Sequence, residues 1–227
     1  MRGLAQSFEK NFRVYNVDLP GHGDAPLPAR AMDLADHAGA VKSLVRDVIG
    51  VPAALVGHSN GGRIALYLAS EPDSEVIVSR LALVSPSGLR RKPLLKTRVR
   101  RAVATTLKAP FMVLPGPARE FALDWLRHSL VWRLLGASDY RALGGVMRDT
   151  FVRLVNHYVE DRIRSIHVPI VVFWGDRDED IVREQVDRLV ALAPSARLSV
   201  VPQAGHYAFL DRPDLVLGEM ALFLSEA

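Results

Sequence analysis

The stretch Val56–Gly62, which reads VGHSNGG, constrains this chain more than any other part of its sequence. A short apolar run, Ala53–Val56, precedes it, and a helical run, Arg63–Ala69, follows it. Between a strand and a helix, a Gly-x-Ser-x-Gly pattern predicts a tight turn that strains the serine backbone and aims its side chain off the end of a sheet. The plainer interpretation is a glycine-rich turn with an incidental serine. The flanking strand and helix favour Ser59 as a nucleophile.

The residues beside Ser59 have predicted roles in the same turn. Gly57 and Gly61 are expected to leave room, because a Cβ at either position would collide with the neighbouring strand or helix. The Ser59 hydroxyl is expected near a helix N-terminus, where backbone N–H groups favour negative charge. His58 lies inside the turn and is too close in sequence to turn onto Ser59.

Apolar patterns along the chain predict alternating strands and helices. A fully apolar strand such as Leu81–Val84 is typical of a buried parallel sheet. An apolar stripe at spacings of four and three predicts a helix from Leu34 to Val48, stopped by Gly50. The predicted strands are Phe12–Val17, Ala53–Val56, Leu81–Val84, Pro169–Trp174 and Leu198–Val201. The predicted helices are residues 1–10, 34–48, 63–69, 181–193 and one that starts near Pro213.

With these elements around it, Gly57–Gly62 resembles the nucleophile elbow of the α/β-hydrolase superfamily, and the resemblance covers nearly the whole chain. It implies the α/β-hydrolase fold, a mostly parallel, doubly wound α/β sheet, which in this chain is truncated at the N-terminus. Residues 1–88 and 167–227 would form its core. Residues 89–166, where the alternation of strands and helices stops, would form a helical cap inserted above the active site, and caps supply the roof of the pocket.

The resemblance also implies the two partners that a serine nucleophile needs, a base and an acid that orients the base. In the family the order along the chain is serine, acid, histidine. The family pattern Trp-Gly-x-x-Asp matches Trp174–Asp178 and makes Asp178 the acid. The family pattern Gly-His matches residues 205–206 and makes His206 the base. Other carboxylates in the acid's loop are Asp176, Glu179 and Asp180.

The chemistry that these residues imply is acyl transfer. Ser59 would attack a carbonyl carbon with His206 as general base, and water would then hydrolyse the acyl-enzyme. The backbone N–H of Asn60 is expected to be one donor to the oxyanion. The reaction requires no cofactor and no metal ion. The expected partner is a small-molecule acyl substrate.

The resemblance fails at the N-terminus. The family's second oxyanion donor comes from the loop after its third strand, and this chain begins after that point, with residues 1–12 matching the helix that follows the loop. The missing strand would lie between those matched by Phe12–Val17 and Ala53–Val56. We therefore expect Met1 to be an internal methionine of a longer gene; the alternative is that these two strands pair directly. One oxyanion donor contributes about a hundredfold to a thousandfold in rate, so the chain as given would be a weak or inactive enzyme.

Composition excludes several kinds of site. The 227 residues include no cysteine, which excludes disulfides, thiolate metal sites and cysteine nucleophiles. The absence of a membrane-length apolar run and of a signal-peptide core predicts a cytoplasmic protein. The strongly basic segment Arg90–Lys108 is interpreted as a solvated face of the cap rather than a contact for nucleic acid or a membrane surface, since no aromatic pattern is interleaved with it.

Several functions remain open at this point. The favoured one is a serine hydrolase that cleaves a small ester or related acyl substrate. A carbon–carbon bond hydrolase of the same fold would use the same three residues. A binding protein that has lost turnover would retain the pocket without the oxyanion loop. A nucleic-acid or membrane-surface binder acting through Arg90–Lys108 would show salt-dependent binding.

Overall fold

Four parallel strands form the sheet in the described part of the chain. The structure is a computed structural model that describes residues 2–91, 110, 115–116 and 144–226. The chain divides into two compact units, residues 1–90 with 149–227 and residues 91–148. The sheet belongs to the first unit, and its strands lie side by side in chain order. They are β1 (Ala53–His58), β2 (Val78–Val84), β3 (Ile170–Gly175) and β4 (Ala196–Val201).

Seven α-helices accompany the sheet in the described ranges. They are α1 (Arg2–Phe8), α2 (Leu34–Leu44), α3 (Asn60–Ala69), α4 (Gly145–Asn156), α5 (Arg183–Leu192), α6 (Ala208–Asp211) and α7 (Pro213–Ser225). Short 3₁₀ helices span Ser74–Val76 and Glu160–Ser165. Within these same ranges, no helix combines the length and the apolar character needed to cross a bilayer.

Both faces of the sheet are covered, as its alternating side chains require. Successive residues of a strand point to opposite faces. Leu83 and Val172 join a core with residues of α2, α3 and α5, whereas Val84 and Phe173 join a second core with residues of α1 and α7. The prediction of a mostly parallel, doubly wound α/β sheet is confirmed.

Parallel pairing brings the strand ends to one edge of the sheet. His58 is in register with Val84, and Val84 with Phe173. Gly175 is in register with Val201. The loops after β1, β3 and β4 therefore leave the same edge, and these loops contain the three predicted catalytic residues.

The predicted strand Phe12–Val17 is wrong. Residues 13–19 have no regular secondary structure, and among the described residues β1 pairs with β2 alone. Phe12 and Val14 nevertheless pack against the core that α1 and α7 share. An extended segment becomes a strand only where a second backbone exchanges hydrogen bonds with it, and no described segment does so. Direct pairing of this segment with β1, the alternative considered above, is also wrong for the described residues.

One residue of the predicted α2 stripe faces solvent. Beyond α2 the chain continues as a π-helical turn, Val45–Ile49, in which Gly50 N–H donates to the Val45 carbonyl at 2.8 Å. A π turn advances by a wider i→i+5 step than an α-helix, so later residues rotate out of the stripe. Val45 is buried, but Val48, the last residue of the stripe, is 63% exposed.

The predicted cap, residues 89–166, lies largely outside the described residues. Its described parts include α4 and the 3₁₀ helix Glu160–Ser165. Residues 149–166 belong to the same compact unit as the sheet. The basic segment is described only at Arg90 and Arg91. The cap and its boundaries stay a prediction.

Candidate active site

Ser59 occupies the turn between the last residue of β1 and the first residue of α3. Its backbone has φ 50° and ψ −112°, a left-handed conformation that costs a residue with a Cβ about 1–3 kcal/mol. The Ser59 N–H donates to the Val84 carbonyl at 3.1 Å, and the Ser59 carbonyl accepts from Arg63 N–H at 3.2 Å. These bonds attach the strained residue to the neighbouring strand on one side and to its own helix on the other.

Two glycines give this turn the space it needs. A Cβ on Gly57 would lie 2.8 Å from backbone atoms of Gly61 and Gly62. A Cβ on Gly62 would lie 2.7 Å from Pro86 Cβ. At Gly61 a Cβ would meet nothing within 4 Å, so the space predicted to be needed there is needed at Gly62 instead.

Asp178 and His206 come together at the same edge of the sheet. The His206 Nδ1 lies 3.0 Å from Asp178 Oδ2 and 3.2 Å from Oδ1. Oδ1 also accepts backbone N–H groups of Asp180 and Ile181, each at 2.9 Å. The Asp178 side chain is fully buried, and that of His206 is 13% exposed. The carboxylate is thus fixed in its own loop while it holds one nitrogen of the imidazole.

The pKa values of the pair shift in opposite directions. Burial on its own would raise the pKa of Asp178, but hydrogen bonds from His206 and Ile181 and the nearby Ser85 hydroxyl hold that pKa below its usual range. The hydrogen bond to Asp178 raises the pKa of His206, and partial burial opposes the rise. The arrangement favours a charged carboxylate and stabilises an imidazolium beside it.

His58 forms contacts that its place in the elbow did not indicate. Its Nε2 donates to the His206 carbonyl at 3.0 Å. Its ring lies 4.7 Å from the His206 ring, 4.9 Å from Tyr207 and 5.4 Å from Phe209, measured between centroids. Burial lowers the pKa of His58 and so favours the neutral ring. His58 therefore attaches the loop after β4 to the end of β1, beside Ser59.

The elbow and the acid–base pair are adjacent but not hydrogen-bonded to each other. In the part of the chain that the structure describes, the Ser59 hydroxyl forms no hydrogen bond, to His206 or to any other group. Catalytic hydrogen bonds are often long before substrate binds and shorten in the substrate complex. Asn60 begins α3, and the N–H of a first helical residue has no acceptor within its helix.

One group of described side chains has the composition of a cation site. Ligand atoms of Asp178, Asp180 and His206 lie within 4.8 Å of one another. Asp178 Oδ1 already accepts two backbone N–H groups, and the carboxylate as a whole holds His206. Asp180 is exposed. These contacts are those of a carboxylate that orients a histidine.

The comparisons with known proteins identify the family of the chain. The model of the alpha/beta hydrolase family matches residues 1–219. A monoacylglycerol lipase of Xenopus laevis is 26% identical over 98% of this chain and 70% of its own length. A pimeloyl-[acyl-carrier protein] methyl ester esterase of Chromobacterium violaceum is 28% identical over 91% of this chain and 82% of its own. The crystal structure of a hydrolase from Pseudomonas aeruginosa superposes with a TM-score of 0.69 at 21% identity, covering 99% of this chain and 84% of that one. The chain belongs to the alpha/beta hydrolase family.

Proposed function

We propose that this protein is a serine hydrolase that cleaves a small ester or related acyl substrate through an acyl-enzyme. The observation that carries the proposal is the Asp178–His206 hydrogen bond of 3.0 Å, formed at the sheet edge where Ser59 sits in a strained turn. Nucleophile, base and orienting acid are the three groups that this chemistry needs.

His206 is suited to the role of general base by the way it is held. With Nδ1–H donated to Asp178, the neutral ring keeps its lone pair on Nε2. Nε2 takes the proton of the Ser59 hydroxyl as the oxygen attacks the carbonyl carbon. The imidazolium then protonates the leaving alcohol, and an ester of Ser59 remains. Water deprotonated by His206 attacks that ester, releases the acid and restores the serine.

The oxyanion formed in each step needs hydrogen-bond donors. The Asn60 N–H is our candidate for one donor, because it lies directly after Ser59 at the start of α3 and lacks a helical acceptor. Each donor contributes about a hundredfold to a thousandfold in rate. A covalent label on Ser59 accumulates from a single attack, whereas turnover repeats both oxyanion-forming steps. Acylation is therefore a more direct test than turnover.

The substrate class rests on the relatives. The two named above are a monoacylglycerol lipase and a methyl ester esterase, and both names describe hydrolysis of a carboxylic ester. At identities of 26% and 28% they support an acyl substrate for this chain without indicating which one. A carbon–carbon bond hydrolase would use the same three residues, and cleavage of a carbon–carbon bond without ester turnover would identify it.

The proposal is tested by labelling the folded protein with a fluorophosphonate, which phosphonylates activated serines. We expect one label per chain, located on Ser59 by peptide mass spectrometry. The Ser59→Ala variant should not be labelled, and heat-denatured protein serves as the control for nonspecific reaction. A label on another serine, or undiminished labelling of Ser59→Ala, would overturn the assignment.

A further inference from the structure

Ser85 is the first residue after β2, the strand between those that lead to Ser59 and to Asp178. Its backbone N–H donates to the Phe173 carbonyl at 2.9 Å, which fixes it against β3. The Asp178 loop leaves β3 two residues beyond Phe173, and Asp178 N–H returns to the Gly175 carbonyl at 3.0 Å. Ser85 therefore lies at the base of the acid's loop.

Three features of Ser85 are unfavourable for a residue with only a structural role. Its φ is +45°, a left-handed conformation that glycine adopts without steric strain and that costs other residues about 1–3 kcal/mol. The residue is fully buried. Its hydroxyl meets hydrogen-bond geometry with no described atom, and a buried unpaired polar group costs about 1–3 kcal/mol. Glycine would relieve the strain and alanine would remove the unpaired hydroxyl, so both would be more stable choices.

The ionisable group beside this hydroxyl is the Asp178 carboxylate. The Ser85 hydroxyl lies near enough to Asp178 to lower the pKa of that carboxyl, although it falls short of hydrogen-bond geometry. Asp178 Oδ1 accepts two backbone N–H groups in addition to its contact with His206. Among the described contacts, Oδ2 accepts from His206 alone, so it is the carboxylate oxygen with the fewer donors.

We propose that Ser85 is a positioning residue for the acid of the site: its buried hydroxyl turns to donate to the neighbouring Asp178 carboxylate in the working enzyme and keeps that carboxylate directed at His206. The proposal rests on the proposed function for its effect on turnover, since Asp178 acts only through His206. A hydroxyl donor draws negative charge away from His206. Removing it leaves a more basic carboxylate, which holds the imidazolium more tightly.

The test compares Ser85→Ala and Ser85→Gly with the matched control Ser87→Ala. Ser87 carries the other hydroxyl of this turn that is buried without a described partner, so its removal is the same chemical change at a different place. Ser85→Gly also removes the positive-φ strain, so it folds even if Ser85→Ala does not. The pKa of His206 is measured by NMR on histidine-labelled protein, and kcat and KM are measured with a short-chain nitrophenyl ester.

We expect both Ser85 variants to raise the pKa of His206 by about 0.5 and to lower kcat about tenfold with KM unchanged. Ser87→Ala should leave both quantities at their wild-type values. An unchanged or lowered pKa of His206 in a folded Ser85 variant, or an equal change in Ser87→Ala, would overturn the proposal. The NMR readout needs no turnover. Failure of the proposed function would show as labelling that survives Ser59→Ala, and the two failures can therefore be told apart.

Discussion

The two sides of the site are held in place by different forces. On the acid–base side, hydrogen bonds fix Asp178 and His206: two backbone donors to the carboxylate, the Asp178–His206 contact and the His58 contact. On the nucleophile side, Ser59 has a left-handed backbone, and its hydroxyl has no partner among the described groups. Close packing between Gly57 and Gly62 maintains that turn.

The difference determines what substitutions should do on each side. Changing a hydrogen-bonded group leaves the backbone in place and alters the charge and orientation of the base. Adding a Cβ to Gly57 or Gly62 forces packed atoms apart, which costs folding free energy before it costs activity. Substitutions on the acid–base side should therefore mainly lower activity, and substitutions in the packed turn should mainly lower stability.

The largest expected effect is on the acid–base side, in Asp178→Asn. The amide keeps the size of the carboxylate but donates where His206 Nδ1–H must donate, so the imidazole adopts the wrong tautomer. We expect kcat for ester hydrolysis to fall about 10⁴-fold, with the unfolding free energy little changed. Asp180→Asn is the matched control in the same loop, because this carboxylate is exposed. Greater damage from Asp180→Asn would mean that the acid has been misassigned.

On the nucleophile side, Gly57→Ala should destabilise the fold. Its Cβ would lie 2.8 Å from backbone atoms of Gly61 and Gly62, which cannot rotate away as a side chain can. We expect a loss of about 1–3 kcal/mol or more in urea unfolding. Gly61→Ala is the control, since its Cβ meets open space and alanine favours a helix. Equal destabilisation by both substitutions would contradict the steric account of this turn.

The pH dependence of activity should report the acid–base side alone. As the proposed base, His206 would work only when neutral, and Asp178 raises its pKa. Activity should therefore be full above the His206 pKa and fall as the pH drops through a midpoint above 6.5, the ordinary value. Asp178→Asn should move any residual acid limb to lower pH. A wild-type midpoint at or below 6.5 would show that the contact to Asp178 does not govern the base.

The smallest expected effect concerns His58, which links the two sides. His58→Phe retains a ring against Tyr207 and Phe209 but removes the donor to the His206 carbonyl. We expect a loss of about 1 kcal/mol in unfolding free energy and a fall in kcat of a few fold, measured by urea titration and ester hydrolysis. His157→Phe, at a ring that contacts Tyr67 and not the site, is the comparison. No difference between the two variants would mean that His58 does not position the base.

The sequence predicts the strands and the candidate catalytic residues better than it predicts the contacts that hold those residues in place. Apolar runs identify β2 and β3 because both strands are buried on two faces, and such strands need no alternation. Asp178 and His206 follow strands in recognisable loops, so parallel pairing brings them together. Phe12–Val17 has the same extended character, but whether it becomes a strand depends on a partner backbone that its own residues do not specify.

Some contacts of the site could not be predicted because they join residues that are far apart in the sequence. Gly61 fits the Gly-x-Ser-x-Gly pattern, yet the close approach is to Pro86 from Gly62, across a gap of 24 residues. The His58 contact with the His206 carbonyl joins residues 148 positions apart. The sequence does show a histidine beside Ser59, and that could have suggested a contact near the site. Its partner, the His206 carbonyl, is brought to it only by the fold.

The central claim is that Ser59 and His206 act as one unit, and a double-variant cycle tests it most directly. Nitrophenyl ester hydrolysis is measured for wild type, Ser59→Ala, His206→Ala and the double variant. Each single substitution should lower kcat by several orders of magnitude, and the double variant should be no slower than the worse single one, because groups that work together fail together. A double variant whose loss is the product of the two single losses would show that the residues act independently, and would contradict the account.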